Sequence, residues 1–213
     1  MAASKAPQLT RAGWLALAQS AAVRERIKEG DGLADVQAIP RVLARRPSLD
    51  WDEAVAAAHM VYGWMPTKLR TILTPAAERE HLLAALAAVR RGDLLDDAQL
   101  GLVECFANRS IVGASKLLYA LNPVTYAIWD SRVATAFLWP GVSLPAYAAY
   151  ATRARYVEYL ATLHQWVKAD EIIRQCRELR ALHPALVDAS DLRMVELVMF
   201  LREAEDGAHE CTE

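Results

Sequence analysis

Lys116, Asp130 and Arg132 stand in the most apolar stretch of this chain, GASKLLYALNPVTYAIWDSRV at residues 113–133. An amine can attack an electrophilic carbon. A carboxylate can stabilise positive charge or accept a proton, and a guanidinium can hold a phosphate. Asp130 follows apolar YAIW and precedes the helical octet SRVATAFL, so it occupies the place of an N-cap. A carboxylate at a helix start accepts backbone N–H groups and stays ionised at neutral pH. The same residue also reads as a plain capping aspartate, worth about 1 kcal/mol to its helix. Lys116 also reads as a solvated helical lysine, the more common state of such a residue. Aromatic faces for a planar ligand exist in Trp64, Tyr126, Trp129 and Trp139, residue types that also fill cores.

Other chemistries lack their residues. The histidines at 59, 81, 164, 183 and 209 form no HExxH and have no ligand-type neighbours, so no metal site is expected. No P-loop, GxSxG or GxGxxG occurs, and no cofactor is expected. Cys105, Cys176 and Cys211 are widely spaced, odd in number and without a CxxC pair, which suits reduced thiols in the cytoplasm.

The elements that must position these groups read as helices. Apolar residues recur at helical spacing over 11–29, 33–45, 51–63, 75–91, 97–107, 113–121, 146–168, 170–182 and 191–205, with a short helix after Asp130. Asp50 or Ser48, Thr74-Pro75, Asp96 or Asp97, and Ser190 mark starts, while Gly30 and Gly92 mark stops. The expectation is an all-α protein of nine to eleven helices. It forms one domain over 1–213, with 1–92 and 93–213 as its two lobes. The segments VYGWMPTKL (61–69) and FLWPGVSLPAY (137–147) turn while anchored by large apolar groups. They suit either the frame of a cleft or hydrophobic plugs under long connections.

Composition narrows the partners. Hydrophobic residues make up 54% and charged residues 23% of 213 residues, an ordinary globular balance. The formal net charge of −2 weighs against a large surface that wraps nucleic acid. It leaves room for a local basic patch, and RVLARR (41–46), TKLR (67–70) and Arg90-Arg91 are candidates. No apolar run is long enough to span a membrane.

The run VGASKLL…AIWDSRVATAF is similar to the helix-hairpin-helix DNA glycosylase superfamily, and more so to bacterial proteins with an 8-oxoguanine-glycosylase-like fold. The resemblance covers one short stretch closely and the all-α outline of the rest. It implies a two-lobed helical fold, DNA as partner and cleavage of the N-glycosidic bond of a damaged base. On the matching positions, Ile111, Val112 and Gly113 would form the hairpin. Lys116 would be the Schiff-base nucleophile, Asp130 the essential carboxylate and Val133 the core residue behind it. Trp64, Tyr126, Trp129 and Arg132 would hold the substrate, and Arg109, Ser110, Gly113 and Ser115 would meet the nucleic acid. Ile111 stands where the family's first glycine usually does, and Ser115 where its lysine does. The alternative is a catalytically silent helical module that binds a protein or a nucleic acid in bacterial defence or genome maintenance.

Overall fold

The computed structural model describes residues 9–30, 33–46, 48–63, 65, 67–70, 76–138 and 146–202, with only the backbone course given at 34–36. Twelve α-helices and one 3₁₀ turn make up the described fold, and no strand occurs among these residues. The expected all-α class is therefore what the chain adopts. The start signal at Thr74-Pro75, and Trp64 and Trp139, lie outside the described residues.

The caps follow their chemistry. Helix α1 (Arg11–Gln19) starts on Thr10, and α2 (Ala21–Glu29) starts on Ser20 and ends at Gly30 in the left-handed conformation, φ 71°. One helix was expected over 11–29; Ser20 divides it, because its hydroxyl accepts the Val23 N–H and its extended backbone breaks the ladder. Helix α3 (Leu33–Leu43) carries Pro40 inside it. Helix α4 (Trp51–Tyr62) begins at a capping box of Asp50 and Glu53. Helix α5 (Ala76–Arg91) follows, and α6 (Asp97–Phe106) begins at a second capping box, of Asp96 and Gln99.

Helix α7 (Ile111–Leu121) is capped by Ser110, and α8 (Ser131–Leu138) follows Asp130. The expected 146–168 helix is likewise two, α9 (Tyr147–Tyr150) and α10 (Arg153–Trp166), because Thr152 leaves helical geometry to cap α10. Helix α11 (Asp170–Arg180) precedes α12 (Asp191–Leu201), which Ser190 caps.

Helix α7 is the hub. It packs against α3, α4, α5 and α6. Helices α1, α2, α8, α10 and α11 pack on α12. One hydrophobic cluster runs from Leu9 through Trp14, Tyr62, Leu118, Trp129 and Phe137 to Leu201, joining the two groups of helices. Ten of the eleven residues of α7 are buried, the exception being Lys116.

Candidate functional site

Lys116 reaches the surface inside a cleft of about 1370 Å³. Tyr62, Met65, Lys68, Arg70, Asn108, Arg109, Ser110, Val112, Asp130, Ser131, Arg132, Tyr147, Tyr150 and Phe200 are among the residues that line it. The amine, carboxylate and guanidinium singled out in the sequence therefore line one cleft. Val112 and Lys116 lie one turn apart on α7, so helical phase alone sends both to the cleft and turns Ser115 inward.

Asp130 is held at its position by side-chain bonds to the backbone of Ala127, Ile128 and Trp129 before it. The extended run 126–130 has no helix or sheet ladder of its own, so side chains supply its partners. Ser115 Oγ accepts the Trp129 N–H at 3.0 Å and lies 3.2 Å from the Trp129 carbonyl. The Tyr159 hydroxyl donates to the Ile128 carbonyl and that of Tyr156 to the Ala127 carbonyl, each at 3.3 Å. The Trp129 indole N–H donates to the Tyr150 carbonyl at 3.0 Å, tying α9 to the same run. Asp130 Oδ1 then accepts the Val133 N–H at 3.0 Å, which makes it the N-cap of α8. The side chain is half-buried and opens on the cleft.

Ser115 is thus a positioning residue: it is fully buried and touches no ligand space. Ser115→Ala is expected to cost about 1–3 kcal/mol by orphaning the buried Trp129 N–H, measured by urea unfolding. A change under half that lower bound would show that Ser115 does not hold the Asp130 segment.

The turn before α7 differs from the expected hairpin at Gly113. Gly113 lies in the first turn of the helix, and the connection from α6 runs through Ala107–Ser110 instead. Asn108 and Arg109 take φ of 58° and 54°, two successive left-handed residues without glycine. Asn108 fastens this turn to the 67–70 segment, accepting the Arg70 N–H at 2.8 Å and donating to the Lys68 carbonyl at 2.9 Å. Gly113 is needed for protein packing. A β-carbon there would sit 2.3 Å from the Tyr62 hydroxyl, which itself donates to the Ala107 carbonyl at 2.9 Å. Burial, with Tyr147 nearby, pushes the Tyr62 phenol up to about 12, so it stays a neutral donor.

The remaining expected site residues divide between the cleft and the core. Arg109, Ser110 and Arg132 line the cleft; Gly113, Ser115, Tyr126 and Trp129 do not. The Tyr126 hydroxyl donates to the Asp93 carbonyl at 2.8 Å and accepts the Leu95 N–H, and the Trp129 ring packs on Phe137 and Tyr159. Trp64 lies outside the described residues. Tyr62 and Tyr147 belong to the segments 61–69 and 137–147 that could frame a cleft, whereas spacing had not pointed to Tyr150 or Phe200. The four come from three separate helices, and no local pattern joins them.

The charged residues of the cleft are mostly cations. Lys68, Arg70, Arg109, Lys116 and Arg132 line it, with Asp130 the sole acid among the described lining residues. None of the five cations forms an ion pair with a described residue. The Arg132 guanidinium lies 5.0 Å from the centre of the Phe200 ring.

Glu196, one turn before Phe200 on α12, is fully buried and paired with Arg193, itself 4% exposed. Burial pushes the Glu196 carboxyl up to about 7; Arg193 opposes the shift, Asp130 adds to it and Lys116 counters it. No group of histidine, cysteine and carboxylate side chains able to hold a metal occurs among the described residues. No helix is long and apolar enough to cross a membrane among them. Comparisons with protein-family models, with curated proteins and with solved structures return no match.

Proposed function

We propose that this is a nucleic-acid-binding protein similar to base-excision DNA glycosylases, with Lys116 and Asp130 as its catalytic residues. The observation that carries this reading is their convergence on one cleft edged by Lys68, Arg70, Arg109 and Arg132. A capping aspartate on a packed helix has no need to open on a cleft, and a merely solvated lysine has no need to be the one accessible residue of a buried helix.

In this reading the cations meet phosphates and the extruded base lies against the aromatic wall. Lys116 attacks the sugar carbon that bears the base, the proton it sheds passes to the departing base, and opening of the ring C–O bond at that carbon leaves a Schiff base. The glycosidic electron pair leaves with the base, and Asp130 stabilises the positive charge that develops on the sugar. Asp130 stays in place through the reaction because its Oδ1 is tied to the α8 backbone.

Base release from oligonucleotides carrying a panel of oxidised, alkylated and deaminated bases, read by chromatography of the free base, tests the proposal. Release of at least one base supports it, and release of none across the panel sinks the enzyme reading. The altered turn at Ala107–Ser110 favours the second reading, a silent module that keeps the cleft for binding. Salt-dependent binding with no base release is its signature.

A further inference from the structure

A protein can hold a phosphate backbone in two physically different ways. A glycine hairpin presents backbone N–H groups to a duplex, whereas a single strand is held by side-chain cations and aromatic platforms. Three amides of the turn entering α7 are bonded within the chain. Ser110 N–H donates to the Ala107 carbonyl at 3.0 Å, Gly113 N–H to Ser110 Oγ at 3.2 Å, and Ala114 N–H to the Ser110 carbonyl at 2.8 Å. Tyr62 covers Gly113 on its open side.

The marks of single-strand binding are present in the same cleft. Lys68, Arg70 and Arg109 are exposed on the two segments that Asn108 ties together. Tyr147 is 54% exposed and meets Tyr150 edge-to-face at 5.5 Å, with its hydroxyl 2.9 Å from Ser110 Oγ. Across the cleft Phe200 offers a second ring beside Arg132. The volume of about 1370 Å³ exceeds the roughly 300–1000 Å³ of a pocket for one small ligand.

We infer that the cleft takes a single nucleic-acid strand in preference to a duplex, with successive bases against Tyr147 and Phe200 and phosphates met by Lys68, Arg70 and Arg109. This rests on the nucleic-acid reading above and names its substrate class. Fluorescence anisotropy of the full chain tests it, with labelled oligo-dT and oligo-U of about eight nucleotides and a blunt duplex, at about 50 and 200 mM salt. The expected result is that one of the single strands binds roughly tenfold or more tighter than the duplex, the tighter one naming the sugar. Tyr147→Ala is expected to weaken that binding by roughly five- to a hundredfold. Its exposed ring leaves the core untouched, and an unchanged melting temperature confirms that.

Tighter duplex binding would overturn the inference and leave the nucleic-acid reading standing. Failure of every probe to bind at the lower salt would overturn both. Single-strand preference that Tyr147→Ala does not weaken would overturn the assigned platform and with it the inference.

Discussion

Asp130→Asn is expected to leave the fold intact while base release falls on the order of 10²–10³-fold, the typical loss when one group that stabilises transition-state charge is removed. Asparagine caps a helix nearly as well as aspartate, so the bond to the Val133 N–H at 3.0 Å survives the change. The buried partners of the 126–130 run are untouched, because they belong to Ser115, Tyr156, Tyr159 and Trp129. Only the charge is lost. Loss of the charge also relieves Glu196 of a repelling neighbour, so stability holds or rises slightly. The readouts are the rate of base release under single turnover and the urea midpoint. Equal rates for the two proteins would reduce Asp130 to a helix cap. A fall in both rate and midpoint would show that the carboxylate is structural.

The second large effect lies beneath the cleft floor. Arg193→Leu leaves the Glu196 carboxyl buried without its cation, and loss of one partner of a buried pair typically costs about 3–5 kcal/mol. The cost depends on pH, with a definite sign. Burial already raises the folded carboxyl to about 7, above its ordinary value of 4.5, so the folded state binds this proton more tightly than the unfolded chain. The stability from this group is therefore fully present below the unfolded value and is lost as pH rises through the folded value. Without Arg193 the carboxyl moves further up. Arg193→Leu is accordingly expected to be more damaging well above neutrality than at a pH near the unfolded value. Arg193→Leu combined with Glu196→Leu removes both charges and is expected to recover most of the loss, since a buried pair contributes little net stability against apolar replacements. Urea unfolding of the three proteins at an acidic and an alkaline pH measures this. A double variant no more stable than the single one would show that the pair holds α12 by shape.

Much of the fold was legible because local chemistry decides it. Asp50, Asp96, Asp130 and Ser190 each cap the helix that follows, and Gly30 closes α2 in the conformation that glycine adopts freely. Ser20 and Thr152 went unread as caps because apolar periodicity continues across both, and a capping hydroxyl inside a periodic run leaves no gap. The turn into α7 was misplaced for a related reason. Gly113 is the residue that sequence marks as a turn, whereas the chain turns on Asn108 and Arg109, and the glycine serves the approach of Tyr62.

Lys116, Asp130, Arg109, Ser110 and Arg132 could be named in advance, since their types carry chemistry wherever the chain places them. Tyr126 and Trp129 carry the same kind of label and are core, because their polar atoms are satisfied by backbone groups that no motif predicts. Tyr62, Tyr147, Tyr150 and Phe200 reach the cleft through tertiary packing, which one-dimensional spacing does not encode.

Borohydride reduction during incubation with oligonucleotides bearing a damaged base or an abasic site, single-stranded and duplex, tests most directly whether Lys116 and Asp130 form one reacting site. A Schiff base between Lys116 and the sugar would be reduced to a stable adduct, and peptide mapping would place it on Lys116. The wild-type protein is expected to form such an adduct and Lys116→Gln to lose it. Absence of any adduct, or an adduct carried by another lysine, would contradict it.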